Sequence, residues 1–162
     1  MTDEPIWLAV ARRDVGLAET PGKETTPAIR QWLLKLGAWW QDDETPWCGV
    51  AVAHWMRETG MPLPKHWYRA KGWLDWGVVL AHPLVGCVVV FEREGGGHVA
   101  LVVGQDQNGN LMCLGGNQGN RVTIAPFKRQ RVAGYRWPAG EAFYDAELPT
   151  VHSFGGVSTQ EA

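Results

Sequence analysis

The sequence predicts an α+β fold in which helices from the N-terminal half pack on a C-terminal antiparallel sheet. Three observations support this prediction: apolar residues recur at helical spacing in the first third of the chain, short β-branched runs follow from Val85 onward, and glycine or proline separates those runs. Helical segments followed by a series of strands are typical of the α+β class. The 162 residues are enough to bury one hydrophobic core.

The N-terminal part contains three segments with the pattern of helices. Two of them, residues 5–15 and 27–36, are each followed by a glycine, the residue type that most often ends a helix. The third runs from Pro46 to Thr59, with Thr45 as its N-cap and proline at its first position. Its surface is apolar almost all round, so we expect it to be central. A short amphipathic piece around residues 68–76 predicts one further helix.

About five strands are predicted after this helical part. After Pro138 the sequence loses its periodicity and becomes rich in small and polar residues, which is typical of weakly ordered chain. The expected organisation is therefore one domain over residues 1–138 and a C-terminal tail over residues 139–162. The predicted strands are Gly86 to Phe91, His98 to Gly104, Leu111 to Gly115, Arg121 to Ile124 and Val132 to Trp137.

The overall charge and the cysteine content exclude several classes of function. The net charge of -2 and the isoelectric point near 6.2 give no basic surface for nucleic acid or anionic lipid. The acidic N-terminus does not resemble a signal peptide, and the apolar runs are too short to span a membrane. Three cysteines without close spacing predict neither a disulfide framework nor a zinc cluster.

Two residues far apart in the sequence have the properties of a nucleophile and its general base. Cys48 lies in the first turn of the third predicted helix, where unpaired backbone N–H groups and the helix dipole stabilise a thiolate and lower the pKa of a thiol. His98 follows three glycines and begins an otherwise apolar strand. A thiol next to an imidazole is the arrangement that covalent catalysis by cysteine requires.

A catalytic histidine also needs a polar group that orients its ring. If Asn108-Gly109 forms a two-residue hairpin turn, Asn117 lies on the same sheet face as His98 and within reach of its side chain. We therefore expect Asn117 to orient His98. A longer turn would shift the register, and Gln118, Asp106 or Glu92 would then take this place.

Ten tryptophans are a high number for a chain of this length. Trp47, Trp73 and Trp76 are close in sequence to the candidate nucleophile, so we expect them to line a cleft and bind substrate. Glu44 and Gln118 are the other expected substrate contacts. For Glu44 there is a simpler interpretation, in which an acidic residue before a helix complements the helix dipole.

Several motifs together resemble a family of phage-associated, CHAP-like peptidoglycan hydrolases. The resemblance extends in order from about residue 5 to residue 138. Two positions depart from the family pattern, because Gly49 stands where a serine commonly follows the nucleophile and Cys87 where an aspartate commonly precedes the strand. The motifs are Asp43-Glu44-Thr45-Pro46-Trp47-Cys48, Trp73-Leu74-Asp75-Trp76-Gly77, Val88-Val89-Val90-Phe91, Gly97-His98-Val99-Ala100, Leu114-Gly115-Gly116-Asn117-Gln118 and Gly134-Tyr135-Arg136-Trp137-Pro138.

The resemblance implies a papain-like cysteine peptidase fold and a triad of Cys48, His98 and Asn117. It further implies cleavage of an amide bond in the peptide part of bacterial peptidoglycan, as an endopeptidase or as an N-acetylmuramoyl-L-alanine amidase, without a metal or organic cofactor. In a phage the protein would be an endolysin, synthesised in the host cytoplasm as a monomer and acting on the wall after release.

Three alternatives remain open from the sequence alone. The first is a non-catalytic module whose tryptophans hold wall sugar or peptide. The second is a glycoside hydrolase that uses Glu44 with Asp42 or Asp43, which requires two carboxyl groups across a sugar-binding cleft. The third is a secreted antibacterial amidase toxin with the same cysteine chemistry.

Overall fold

In a computed structural model of the protein, the residues described are 4–18, 26–38, 46–143 and 147–153. They form three helices and a six-stranded sheet, with a short 3₁₀ helix at Ala70–Asp75 where the amphipathic piece was predicted. The helices are α1 (Ile6–Arg12), α2 (Pro27–Leu36) and α3 (Cys48–Glu58). The strands are β1 (Val78–Leu80), β2 (Val88–Arg93), β3 (Gly96–Gln105), β4 (Leu111–Gly115), β5 (Thr123–Phe127) and β6 (Val132–Trp137).

The sheet is antiparallel throughout and has the strand order β1-β6-β2-β3-β4-β5. Helix α3 packs on the central strand β3, and α1 and α2 pack on α3. The α+β class is therefore confirmed, with α3 as the central helix. None of the helices in the described part of the chain is long and apolar enough to cross a membrane.

The helix ends agree with the sequence signals for α2 but not for α1 and α3. Helix α1 ends at Arg12, three residues before the predicted end at residue 15. Helix α2 has the predicted bounds, and Gly37 ends it in the left-handed conformation with φ 77°. Helix α3 begins at Cys48, two residues later than expected, with Trp47 at the N-cap position. The predicted cap Thr45 lies outside the described residues. The sixth strand, β1, was not predicted because it has only three residues, at the sheet edge.

The hairpin between β3 and β4 has a longer turn than the sequence suggested. The amide of Asp106 donates to the carbonyl of Asn110 at 2.8 Å, so the turn has three residues instead of two. A bulge between Val102 and Gly104 then shifts the register once more. Leu101 consequently pairs with Leu114, and the register that would have placed Asn117 diagonally from His98 is wrong.

Part of the C-terminal segment packs on the domain. The backbone amide of Gln105 donates to the carbonyl of Pro149 at 2.9 Å, and the carbonyl of Gln105 accepts from the amide of Val151 at 2.7 Å. These bonds place residues 149–151 along the end of β3. The division into a domain over residues 1–138 and a weakly ordered tail stays a prediction. The final residues of the predicted tail, 154–162, lie outside the described part of the chain.

The carboxylate of Asp106 holds the long hairpin turn together. It accepts hydrogen bonds from the amides of Asn108 and Asn110 at 2.9 and 2.8 Å, and from the hydroxyl of Ser153 at 3.3 Å. Burial raises the pKa of Asp106, but the hydrogen bonds from Asn110, Asn108 and Ser153 outweigh it, and the pKa lies below its ordinary value of 3.8. The ionised carboxylate thus fixes the turn that sets the β3–β4 register.

Replacing Asp106 by asparagine should therefore destabilise the fold in a pH-dependent way. Because the folded-state pKa is lowered, the carboxylate stabilises the fold above its unfolded pKa and loses this effect as the pH falls through the folded pKa. At pH 7 we expect D106N to lower the free energy of unfolding by about 1–2 kcal/mol, measured by urea denaturation. The deficit should shrink towards zero in strong acid.

The matched control is Asp75→Asn, which changes an exposed carboxylate in the 3₁₀ helix and should have little effect at any pH. A deficit in D106N that is the same at pH 7 and in strong acid would contradict the account.

Candidate active site

The start of α3 is fixed by close packing on the segment that follows β4. The ring of Trp47 is buried and lies 6.4 Å from that of Trp32. A side chain at Gly116 would meet both this ring and the methyl group of Ala51 at 2.7 Å, so only glycine allows this approach. The first turn of α3 is thereby held beside the end of β4, and the helix packs on β3.

This packing places the Cys48 sulfur beside the start of β3. Cys48 is the first residue of α3 and is 3% exposed. Its sulfur receives a hydrogen bond from the backbone amide of Val99, the residue next to His98. The structure thus brings the predicted nucleophile and the strand position of the predicted base together, although fifty positions separate them.

The protonation of the Cys48 thiol differs from the expectation. Burial raises the pKa of Cys48 above its ordinary value of 9.0, and this effect outweighs the backbone hydrogen bonds from Val99 and Gly49 and the positive charge of Arg93, which lower it. The expectation that the helix start yields a thiol of low pKa is therefore wrong for the free protein. The resting group is a neutral thiol.

The imidazole of His98 is buried and held by aromatic rings. The ring centroid of His98 lies 5.4 Å from that of Phe127 and 6.3 Å from that of Phe91, with interplanar angles of 13° and 20°. Its Nε2 lies 2.9 Å from Oε1 of Gln118. Stacking fixes the plane of the ring, and the hydrogen bond fixes its rotation within that plane.

The neighbours of Gln118 determine which nitrogen of His98 carries the proton. Nε2 of Gln118 lies 2.9 Å from the carbonyl oxygen of Thr123, which can only accept a hydrogen bond, so the amide nitrogen must point there. The amide oxygen then faces His98, and because this oxygen is also only an acceptor, Nε2 of His98 must donate. The neutral ring therefore carries its proton on Nε2 and its lone pair on Nδ1.

Asn117 does not have the predicted place beside the histidine. It adopts a left-handed conformation with φ 59° in the turn after β4, while Nε2 of His98 meets the amide oxygen of Gln118. Gln118 takes the orienting position instead, one of the alternatives left open for a longer turn. It is 3% exposed beneath His98, which also corrects its expected role as a substrate contact.

Gly115 leaves the space that Gln118 needs. A side chain at position 115 would collide with the amide oxygen of Gln118 and would lie 3.0 Å from the Cβ of Ala100. Gly115 therefore leaves room for the side-chain amide of Gln118, and Gly116 lets Trp47 and Ala51 at the start of α3 pack closely. This explains why two glycines stand directly before the polar pair at the end of β4.

A cleft of about 400 Å³ opens in front of Cys48. Its walls come from the start of α3, from residues 68–71 before and within the 3₁₀ helix, and from the glycines at 95–97 before His98. A side chain at Gly49 would lie 2.6 Å from the carbonyl oxygen of Trp67, so the unusual glycine at this position lets the 67–68 backbone pack directly on α3.

The tryptophans predicted to bind substrate are part of the core. Trp47, Trp73 and Trp76 are at most 5% exposed, and none of them lines the cleft. The indole N–H of Trp73 donates to the backbone carbonyl of Trp67, and that of Trp76 donates to the backbone carbonyl of Pro62. The polar atoms of these two rings are therefore bonded within the protein. Among the residues that the structure describes, Tyr68 is the aromatic side chain that lines the cleft. Glu44 lies outside the described residues.

The other thiols are remote from this chemistry. Cys87 and Cys113 are fully buried, as expected for core residues, and burial raises the pKa of Cys87 to about 12. Among residues 4–18, 26–38, 46–143 and 147–153, no group of three or more histidine, cysteine or acidic side chains could hold a metal ion. His54 does not line this cleft, and its ring stacks on that of Trp32 with the ring centroids 4.6 Å apart.

Comparison with known families gives one match. The model of the CHAP domain family matches residues 40–117, just under half of the chain. CHAP domains are typically cysteine-dependent amidohydrolases that act on peptidoglycan. The match includes Cys48 and His98 and ends one residue before Gln118. Among proteins of curated function, none matches the chain.

The raised pKa of Cys48 predicts a pH profile for its alkylation. Since the thiolate is the reactive form, the rate constant for iodoacetamide should rise with pH and reach its midpoint above 9.0, the ordinary thiol value. The rate is measured at Cys48 by peptide mass spectrometry, with Cys87 and Cys113 as buried internal controls. A plateau of fast alkylation already present below neutral pH would contradict this assignment.

Proposed function

We propose that the protein is a cysteine-dependent peptidoglycan hydrolase that cleaves an amide bond in the peptide part of the wall. The observation that supports this most strongly is the position of the Cys48 sulfur at the floor of a cleft, hydrogen-bonded to the amide of Val99 next to His98. The CHAP family match over the same residues supports the reaction class and the substrate.

In the proposed mechanism, His98 acts as the general base. Its Nδ1 lone pair takes the proton from the Cys48 thiol as the sulfur attacks the amide carbonyl, so that thiolate and attack develop together. Gln118 accepts from Nε2 of His98 throughout and keeps the ring in the productive tautomer. The imidazolium then gives its proton to the leaving amine, and an acyl-enzyme remains on the sulfur.

The helix start supplies a donor for the oxyanion. The backbone amides of Cys48 and Gly49, in the first turn of α3, lie close enough to the Cys48 sulfur to lower its pKa in part. In our proposal the Cys48 amide stabilises the negative charge that forms on the carbonyl oxygen. Water activated by His98 then hydrolyses the acyl-enzyme.

The biological setting that we propose is lysis of a bacterial host by a phage. The protein would be synthesised in the host cytoplasm and reach the wall after release, as an endolysin does. This setting is supported by the sequence resemblance to phage-associated hydrolases over residues 5–138, and the same chemistry in a secreted toxin is the alternative.

The first test of the reaction is Cys48→Ala. We expect this variant to lose at least about 10³-fold in the release of free amino groups from purified sacculi, because the acyl acceptor is gone. Circular dichroism should give an unchanged fold. Cys87→Ala, which removes a thiol outside the site, should retain activity. Release of reducing ends without new amino groups would instead indicate glycan cleavage and contradict the proposal.

The second test distinguishes the role of the Gln118 side chain from that of its neighbour Asn117. Gln118→Leu should lower kcat by about 10- to 100-fold, because the proton on His98 is no longer fixed to Nε2. This loss is smaller than the roughly 10²–10⁴-fold contribution of a general base, since His98 itself remains. Gln118→Glu keeps an oxygen acceptor and should shift the pH profile of kcat. Asn117→Gly keeps the left-handed backbone and should retain activity within about twofold. A large loss in N117G with an active Q118L would reverse the assignment.

A further inference from the structure

The charged residues that line the cleft are both cationic. They are Arg69 and Lys71, which line the cleft together with Cys48 and the glycines at 95–97. Arg93 adds a third positive charge near enough to the Cys48 sulfur to lower its pKa in part. Within the described part of the chain, no carboxylate lines this cleft.

Arg69 is available to a ligand. Its guanidinium carbon lies 5.6 Å from the ring centroid of Tyr68, and no carboxylate of the described residues is within ion-pair distance. Arg69 is exposed at the cleft and its guanidinium lies over the Tyr68 ring, so its planar donors can reach a ligand and suit bidentate binding of a carboxylate.

Lys71 is held across the cleft wall by its aliphatic stem. A side chain at Gly97 would lie 3.2 Å from Cγ of Lys71, so the stem runs over this glycine. Its ammonium group pairs with Glu92 at 2.8 Å, but both side chains are about half exposed. An exposed pair of this kind is weak, and the ammonium group can turn to a second anion at little cost.

The glycine at position 49 contributes to this arrangement. Because it lets the Trp67–Tyr68 backbone pack against the first turn of α3, the following residues, Arg69 and Lys71, are brought to the side of the nucleophile. One of the two positions at which the chain departs from the family pattern, Gly49, therefore lets the backbone that carries these cations approach α3.

We propose that Arg69, assisted by Lys71, selects substrates that carry an ionised carboxylate close to the scissile amide. This inference rests on the proposed peptidoglycan hydrolase activity and deepens it. The substrate class is a wall stem peptide with a free carboxylate, and amidation of that carboxylate removes the charge that the cleft recognises.

The test uses two synthetic disaccharide tetrapeptides that differ in one group. The second stem residue is γ-linked D-glutamate with a free α-carboxylate in one, and D-isoglutamine with a carboxamide in the other. For the wild-type protein we expect kcat/KM to favour the carboxylate by about 10- to 100-fold, mainly through KM. Arg69→Gln should reduce this preference to near unity. Arg57→Gln, an exposed cation in the last turn of α3, should leave it unchanged.

Binding to the Cys48→Ala variant, measured by titration calorimetry with the same two peptides, separates this inference from the proposed reaction. Preferential binding of the carboxylate peptide that Arg69→Gln abolishes supports the inference even if the wild-type protein cleaves neither these peptides nor purified sacculi, a result that would refute the hydrolase. Equal cleavage or equal binding of the two peptides, or a preference that survives in Arg69→Gln, would overturn the inference.

Discussion

The side-chain amide of Gln118 bonds two parts of the site at once, and the direction of these bonds decides the chemistry of His98. The carbonyl of Thr123 requires a donor, so the amide nitrogen faces β5 and the oxygen faces the imidazole. The proton of the neutral ring is therefore on Nε2. Since a base accepts protons through its lone pair, Nδ1 is the atom that can serve the thiol. Gly115 makes this arrangement possible by leaving the space that the amide oxygen occupies.

Burial has a cost and a benefit at this site. Removing the Cys48 sulfur from water raises the pKa of the thiol and keeps it neutral, so the free protein does not store a reactive thiolate. The same exclusion of water strengthens every hydrogen bond that the developing charges will receive during attack. Backbone amides at the start of α3 and at Val99 are already directed at these charges. In this account the Cys48 thiol is therefore activated during the reaction with substrate and not in the resting state.

The sequence was informative where structure depends on local signals. Cys48 and His98 could be identified because a helix start and a glycine-preceded strand leave clear patterns. Gln118 could not be chosen over Asn117, because the choice depends on the β3–β4 register. The carboxylate of Asp106 and the bulge between Val102 and Gly104 determine that register. The tryptophans were misassigned because composition does not reveal whether an indole is buried. The cationic cleft wall was missed because the amphipathic pattern around residues 68–76 predicts a helix but does not reveal that Arg69 and Lys71 lie beside Cys48.

The central claim, that Gln118 fixes the proton of the neutral His98 ring on Nε2 and leaves the lone pair on Nδ1, can be measured directly by ¹⁵N NMR of the imidazole nitrogens. The protein has five histidines, and a His98→Gln variant identifies the signals of this one. For the free protein at neutral pH, the account predicts a protonated Nε2 and an unprotonated Nδ1. A neutral ring with its proton on Nδ1, or an imidazolium with both nitrogens protonated beside a thiolate, would contradict it.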